Sequence, residues 1–144
     1  MAKKLGNDYR LWIEGATPGT LAEIKGQQDL SQAGQASTID ISDKTNAPYG
    51  LTAPGNIDVS ISGDLFPDLP DATGYALLAA AFLSQTVVKF EIRKGGSLGA
   101  SPGDVVFAAS MYVLQNGKSY PKGGVVKATI ALGLALAPTV NLLA

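Results

Sequence analysis

Hydrophobic and polar residues alternate with a period of two along most of this chain, which predicts strands half-buried in an antiparallel sheet. Tyr9, Leu11 and Ile13 fall on one side of a first strand, with Arg10, Trp12 and Glu14 on the other. Ile39 and Ile41 repeat the pattern in the segment from Ile39 to Thr45. Ile57, Val59 and Ile61 alternate with Asp58, Ser60 and Ser62, and Val88, Phe90 and Ile92 with Lys89, Glu91 and Arg93. In each case the apolar row is expected to face a core and the polar row to face outward.

Toward the C-terminus the pattern changes. From Asp104 to Leu114 both faces are apolar or small, and a turn is expected at Asn116-Gly117. The last strand sets Val126, Ala128, Ile130, Leu132, Leu134 and Leu136 in one row, whose large side chains are too apolar to be left in water. Its other face carries Thr129, Ala131, Gly133 and Ala135, small and uncharged, which suits close approach by another surface. Either a helix of the same chain or a neighbouring subunit could cover it, so these four residues are a candidate subunit-contact face.

One segment has the helical period. Tyr75, Leu78, Ala79 and Phe82 share a stripe after Asp71, a good N-cap residue, with Pro70 just outside. A single amphipathic helix is expected from about Asp71 to Ser84, with Gly74 inside it costing up to about 1 kcal/mol relative to alanine. About seven or eight strands and one helix make a mainly β, single-domain fold over residues 1–144: an antiparallel β-sandwich or flattened barrel with the helix on its flank.

Between the strand at Ile39 and that at Val59 lies a long loop, at about residues 43–55. Long loops without structure of their own are usually functional or disordered. Tyr49 and Leu51 are apolar anchors within it, and Pro48 and Pro54 reduce the entropy lost when it is ordered. The competing reading is a loop folded over its own sheet.

Composition sharpens this picture. Hydrophobic residues make up 46% of the chain and charged residues only 16%, against roughly 25% charged in an average domain, so part of the surface is expected to be covered. The formal charge of -1 argues against tight nucleic-acid binding, which needs clustered cations. Lys3-Lys4 and Arg93-Lys94 read as solvated ends. Neither cysteine nor histidine occurs, which removes thiolate and imidazole chemistry. The N-terminus shows no secretory signal pattern. Ala128 to Ala137 is too short an apolar run for a spanning helix, so membrane insertion is not expected.

Candidate chemistry is sparse. Asp64, Asp68 and Asp71 could be read as a calcium site, but helix capping and the helix dipole explain Asp71 and Asp68 better, and the spacing matches no calcium loop. The glycines at 95–99 and 123–124 lack the sequence of a phosphate loop and read as turns. Trp12 is either a stacking platform or a residue packed under a loop or at an interface. No cofactor, metal or catalytic residue is expected.

The order of these pieces resembles the major tail proteins, or tail tube proteins, of long non-contractile phage tails and gene transfer agents. The resemblance rests on the segment Asp40 to Lys44, the Pro- and Gly-bearing loop, the strand Val59 to Phe66, the helix with Leu77 and Leu78, and the strands Val105 to Tyr112 and Val125 to Leu136. It implies a β-sandwich with a flanking helix, six copies of which close into a ring, with rings stacked into a tube through which double-stranded DNA passes. It further implies that Asp43, Lys44, Thr45, Asn46, Pro48, Tyr49, Leu51 and Pro54 contact the adjacent ring. The implied partners are other copies and the tail-tip, tape-measure and terminator proteins, and the implied place is the virion tail, after synthesis in a host cytoplasm. A weakly acidic lumen would let DNA slide, and Asp58, Ser60 and Ser62, or Lys89, Glu91 and Arg93, are polar rows that could line it. The rival readings are a monomeric β-sandwich binding module, another tail or secretion-tube component of the same architecture and, with little to support it, an enzyme.

Overall fold

The alternating segments become strands in a computed structural model that describes residues 6–94 and 104–141. These are β1 (Arg10–Glu14), β2 (Leu21–Glu23), β3 (Gln27–Asp40), β4 (Thr52–Leu65), β5 (Val88–Arg93), β6 (Val105–Ser119), β7 (Lys127–Leu134) and β8 (Val140–Asn141), with one helix, α1 (Tyr75–Ser84), between β4 and β5. All pairings are antiparallel. They build one sheet in the order β2-β1-β5-β6-β7-β4-β3, with β8 beside β6.

Register explains the core. Leu11 stands opposite Ile92, which stands opposite Phe107 on the next strand; Ile61 stands opposite Leu132, which stands opposite Val113. These rows lie on one face of the sheet and are buried together with Ile13, Phe90, Met111 and Ile130. Tyr75, Leu78 and Ala81 of α1 complete the cluster. The sheet therefore curls around its apolar face, and the helix packs onto it.

No ladder closes the curl. Gln27 does so with its side chain: its Oε1 accepts from the Leu11 amide at 2.8 Å, while its Nε2 donates to the Leu11 carbonyl at 2.8 Å and the Ile24 carbonyl at 2.7 Å. One amide thus bonds backbone groups of β1 and of the β2–β3 turn at the seam, the Leu11 carbonyl accepting from the Ile24 amide as well.

Several expectations need correction. Val126 and Leu136 are exposed, not core, because they fall outside β7 and its ladders. Ile39, Ile41 and Ile57 are also exposed, since the chain has left the core at those positions. Asn116-Gly117 is not a turn: both pair with β7, the Tyr75 hydroxyl donates to Asn116 Oδ1 at 2.9 Å, and the chain turns after Ser119. The helix begins at Tyr75, with Gly74 at its N-cap. Asp71 still caps it from outside, its Oδ2 accepting from the Tyr75 and Lys25 amides at 3.1 Å each. A Cβ on Gly74 would collide with that carboxylate, so the glycine makes room for the cap and does not weaken a helix interior. The helix has no charged residue, and its outer side exposes Ala76, Ala80 and Leu83, so it is apolar all round and not amphipathic.

Candidate assembly surfaces

The long loop expected at residues 43–55 is the tip of a longer element. β3 pairs with β4 from Gln27 opposite Leu65 out to Asp40 opposite Thr52, whereas β4 pairs with β7 only from Ser60 to Leu65. Thr52 to Asp58 therefore pair with β3 alone and form, at roughly 3.3 Å per residue, an arm of about 20 Å. Every residue from 37 to 52 is exposed. Of the contact candidates, Asp43, Lys44, Thr45, Asn46, Pro48, Tyr49 and Leu51 lie at the tip, and Pro54 lies within β4 of the arm.

The tip is ordered by its own hydrogen bonds. Asp43 Oδ1 accepts from the Asn46 amide at 3.1 Å and from Asn46 Nδ2 at 2.8 Å, capping a single 3-10 turn at Lys44–Asn46. The Tyr49 amide donates to the Asn46 carbonyl at 2.9 Å. Across the base, the Ile41 amide donates to the Leu51 carbonyl and the Leu51 amide to Ser42 Oγ at 2.6 Å. The Ser42 amide donates to Asp40 Oδ1, which, with the Ser42 side chain, holds the Asp40 carboxyl below its ordinary pKa. The tip and the arm behind it carry apolar side chains that the described residues leave largely uncovered: Tyr49 is 75% exposed and Ile57 70%, with Ile39 and Ile41 at 53% each. Exposed apolar side chains grouped in this way make the arm a candidate contact surface.

The two sets of small and polar candidates share one surface. Ser60 stands opposite Gly133, and Ser62 opposite Ala131; Asp64 stands opposite Thr129. Asp58, Ser60 and Ser62 thus continue into Thr129, Ala131 and Gly133 on the face turned away from the core. Thr129 Oγ1 donates to Asp64 Oδ1 at 3.1 Å, and Lys127 Nζ pairs with Asp64 Oδ2 at 3.3 Å. Gly133 is overlaid by Leu114, whose Cδ1 would lie 2.6 Å from an added Cβ. Ala135 follows β7, its amide donating to the Ser110 carbonyl.

The third polar row behaves otherwise. Glu91 and Arg93 are only 6% and 8% exposed, so Arg93 is not a solvated end. Arg93 Nε donates to Glu91 Oε1 at 2.9 Å, and Lys89 Nζ lies 3.5 Å from Glu91 Oε2. The Arg93 guanidinium also sits 4.6 Å from the centre of the Trp12 ring, which accounts for Trp12 as a packed residue bearing a cation on its face.

Other candidates are not brought together. Asp64 is engaged by Lys127 and Thr129, Asp71 is buried beneath the helix, and Asp68 is exposed; among the described residues no three carboxylates gather as a metal site. A cavity of 1020 Å³ at the seam is lined by Tyr9, Arg10, Glu23, Gln27, Leu30 and Asn141 among others, with Arg10 and Glu23 paired at 2.6 Å inside it. Gly123 forms a turn with positive φ, as expected. Lys3-Lys4 and the glycines at 95–99 lie outside the described residues. No described helix is long and apolar enough to cross a membrane.

Sequence reasoning missed residues 27–38 as a strand. Their run of Gln, Ser, Ala and Gly lacks apolar alternation; the only signal was the absence of proline and the opposing strand after the loop.

No family model matches the chain, and no curated protein does. Solved structures do. The chain is similar to a protein in the tail of an empty gene transfer agent particle, with a TM-score of 0.78 and 15% identity over 96% of this chain and 99% of that one. It is similar to the SPP1 tail tube, with a TM-score of 0.73 and 15% identity over 96% of this chain and 80% of that one. It is also similar to a chain of the anti-feeding prophage baseplate, with a TM-score of 0.65 and 10% identity over 99% of each. At these identities the likeness is one of fold.

Proposed function

We infer from its tail-tube fold that this chain is a structural virion protein, copies of which close into six-membered rings that stack as the tube of a tail and conduct double-stranded DNA. The observation that carries the reading is the β3–β4 arm, an ordered projection whose apolar residues the described residues leave largely uncovered. A second copy supplies that cover. The six-fold count follows the six-fold symmetry of the similar gene transfer agent tail and baseplate structures.

The lumen is assigned to the face with Asp58, Ser60, Ser62, Thr129, Ala131 and Gly133. Apart from Leu114 over Gly133 it is small, hydroxylated and faintly acidic, and a wall of that kind does not grip a duplex bearing a charge for every ~1.7 Å of its axis. The row Lys89, Glu91 and Arg93 suits this role less, because Glu91 and Arg93 are buried and all three charges are spent on one another. We assign the chain no catalytic role. Its partners on this reading are its own copies, the proteins that start, measure and end the tail, and DNA in transit.

The baseplate likeness favours a second reading, another tail or injection-tube component of the same fold, which would form rings without extending them. Negative-stain electron microscopy and light scattering across concentrations separate the two. Hollow tubes support the tube protein, isolated rings the neighbouring component, and a strict monomer the binding module. Deleting residues 46–53 is expected to leave a folded chain that forms no tubes; tubes persisting in the deletion overturn the role given to the arm.

A further inference from the structure

We propose that the arm of one copy docks head to tail on the β6–β7 hairpin end of the next, with aspartates of the arm facing lysines of the hairpin. The proposal rests on the tube reading and names the surface that receives the arm.

Topology comes first. β4 and β7 run antiparallel from Ser60 opposite Gly133 to Leu65 opposite Ala128. The arm leaves this ladder beyond Ser60, and the β6–β7 connection enters it before Lys127, beyond Leu65. The two hairpin ends therefore point to opposite ends of the sheet. An arm cannot reach the hairpin of its own chain, but a copy displaced along the strand direction presents its hairpin to it. Such a contact is heterologous and repeats without limit in that direction.

Charge comes second. The arm and its root carry Asp40, Asp43 and Asp58 against a single Lys44, and none of the three aspartates is in an ion pair with a described residue. From Val105 to Ala144 there is no Asp or Glu, and all three cationic side chains, Lys118, Lys122 and Lys127, fall at the β6–β7 connection. Lys127 is held by Asp64, whereas Lys118 and Lys122 are exposed and in no ion pair with a described residue. Lys25 and Asp68 are exposed at the same end of the sheet, which leaves the local excess positive. Charges of opposite sign on opposite poles orient an approaching copy and penalise the head-to-head alternative.

Apolar surface comes third. Tyr120 is 72% exposed and Val125 63%, flanking the turn in which the Gly124 amide donates to the Pro121 carbonyl at 3.2 Å. The hairpin thus presents an aromatic and an aliphatic residue within a rim of lysines, and the arm presents Tyr49, Leu51 and Ile41 beside aspartates. An apolar centre within a charged rim is the anatomy of a specific interface.

Charge reversal tests the pairing. K118E/K122E should leave circular dichroism unchanged and rings intact but abolish stacked tubes, and the charge-preserving K118R/K122R should keep them; the tip aspartates are left in place because Asp40 and Asp43 hold the tip's own hydrogen bonds. Tubes formed by K118E/K122E, or lost in K118R/K122R, overturn the docking while leaving the tube reading in place. A wild-type chain that forms no rings or tubes overturns both. If a reversed variant misfolds, cross-linking replaces it, since the chain has no native cysteine. Tyr49→Cys with Val125→Cys, oxidised with diamide during assembly, should give a ladder of covalent oligomers beyond the dimer; no product, or dimers alone, overturns the proposal.

Discussion

The curled sheet and its arm are built from the same strands by opposite rules. In the body, β4 places Val59, Ile61 and Leu65 against a core and turns Ser60 and Ser62 outward, so period-two alternation has a physical meaning. In the arm the same strand carries Ile57 and Asp58 with no core on either side, and alternation decides nothing. The body's stability comes from burial within the chain. The arm is held by its ladder to β3 and by the hydrogen bonds of its tip, and its apolar residues are free to serve an intermolecular contact. One hairpin is thus packed into the core at its root and exposed at its end.

Substitutions should separate the two regions. Phe90→Ala removes a fully buried ring from the centre of the sheet and is expected to cost about 3–5 kcal/mol in chemical denaturation, enough to unfold a marginal domain. Asp71→Ala leaves the Tyr75 and Lys25 amides without their acceptor and is expected to cost about 1–3 kcal/mol by the same measurement. Tyr49→Ala combined with Ile57→Ala should change stability by less than about 0.5 kcal/mol, because neither side chain is buried. The same pair should raise the protein concentration at which light scattering reports tubes. A large loss of stability in that variant would show that the arm belongs to the folding unit.

The smallest effect concerns acid. The Asp40 carboxyl lies below the ordinary value of 3.8 because the Ser42 amide and hydroxyl favour its charged form. Its contribution to the order of the tip is therefore complete above that value and is lost as pH falls through the lower folded value. The Ser42 amide resonance should move only in that acid range, while resonances of the body stay in place.

Much of the body was legible because its strands are half-buried: β1 and β5 were read with their faces assigned, and the row Ala128, Ile130 and Leu132 was found in β7. What escaped depends on partners distant in sequence. β3 has polar residues on both faces, so only its ladder to β4 makes it a strand. Asn116-Gly117 has the composition of a turn, but β7 and Tyr75 hold it extended. Arg93 looked solvated because the sequence does not show that Glu91 and Trp12 enclose it. For the candidate surfaces, the tip residues were legible as a long loop with apolar anchors at Tyr49 and Leu51. The union of the Ser60 and Gly133 faces was not, since it follows from register alone.

The Gln27 seam has a mechanical consequence. A barrel sealed by ladders all round can widen only by breaking cooperative rows of backbone bonds, whereas this body has one line where side chains, Gln27 and the Gln32–Asn141 pair, join the two margins. Parting there costs a few side-chain hydrogen bonds and leaves every strand pair intact. A cylinder made of such units would carry a compliant line in each of them, able to yield in girth under internal load while remaining stiff along its length.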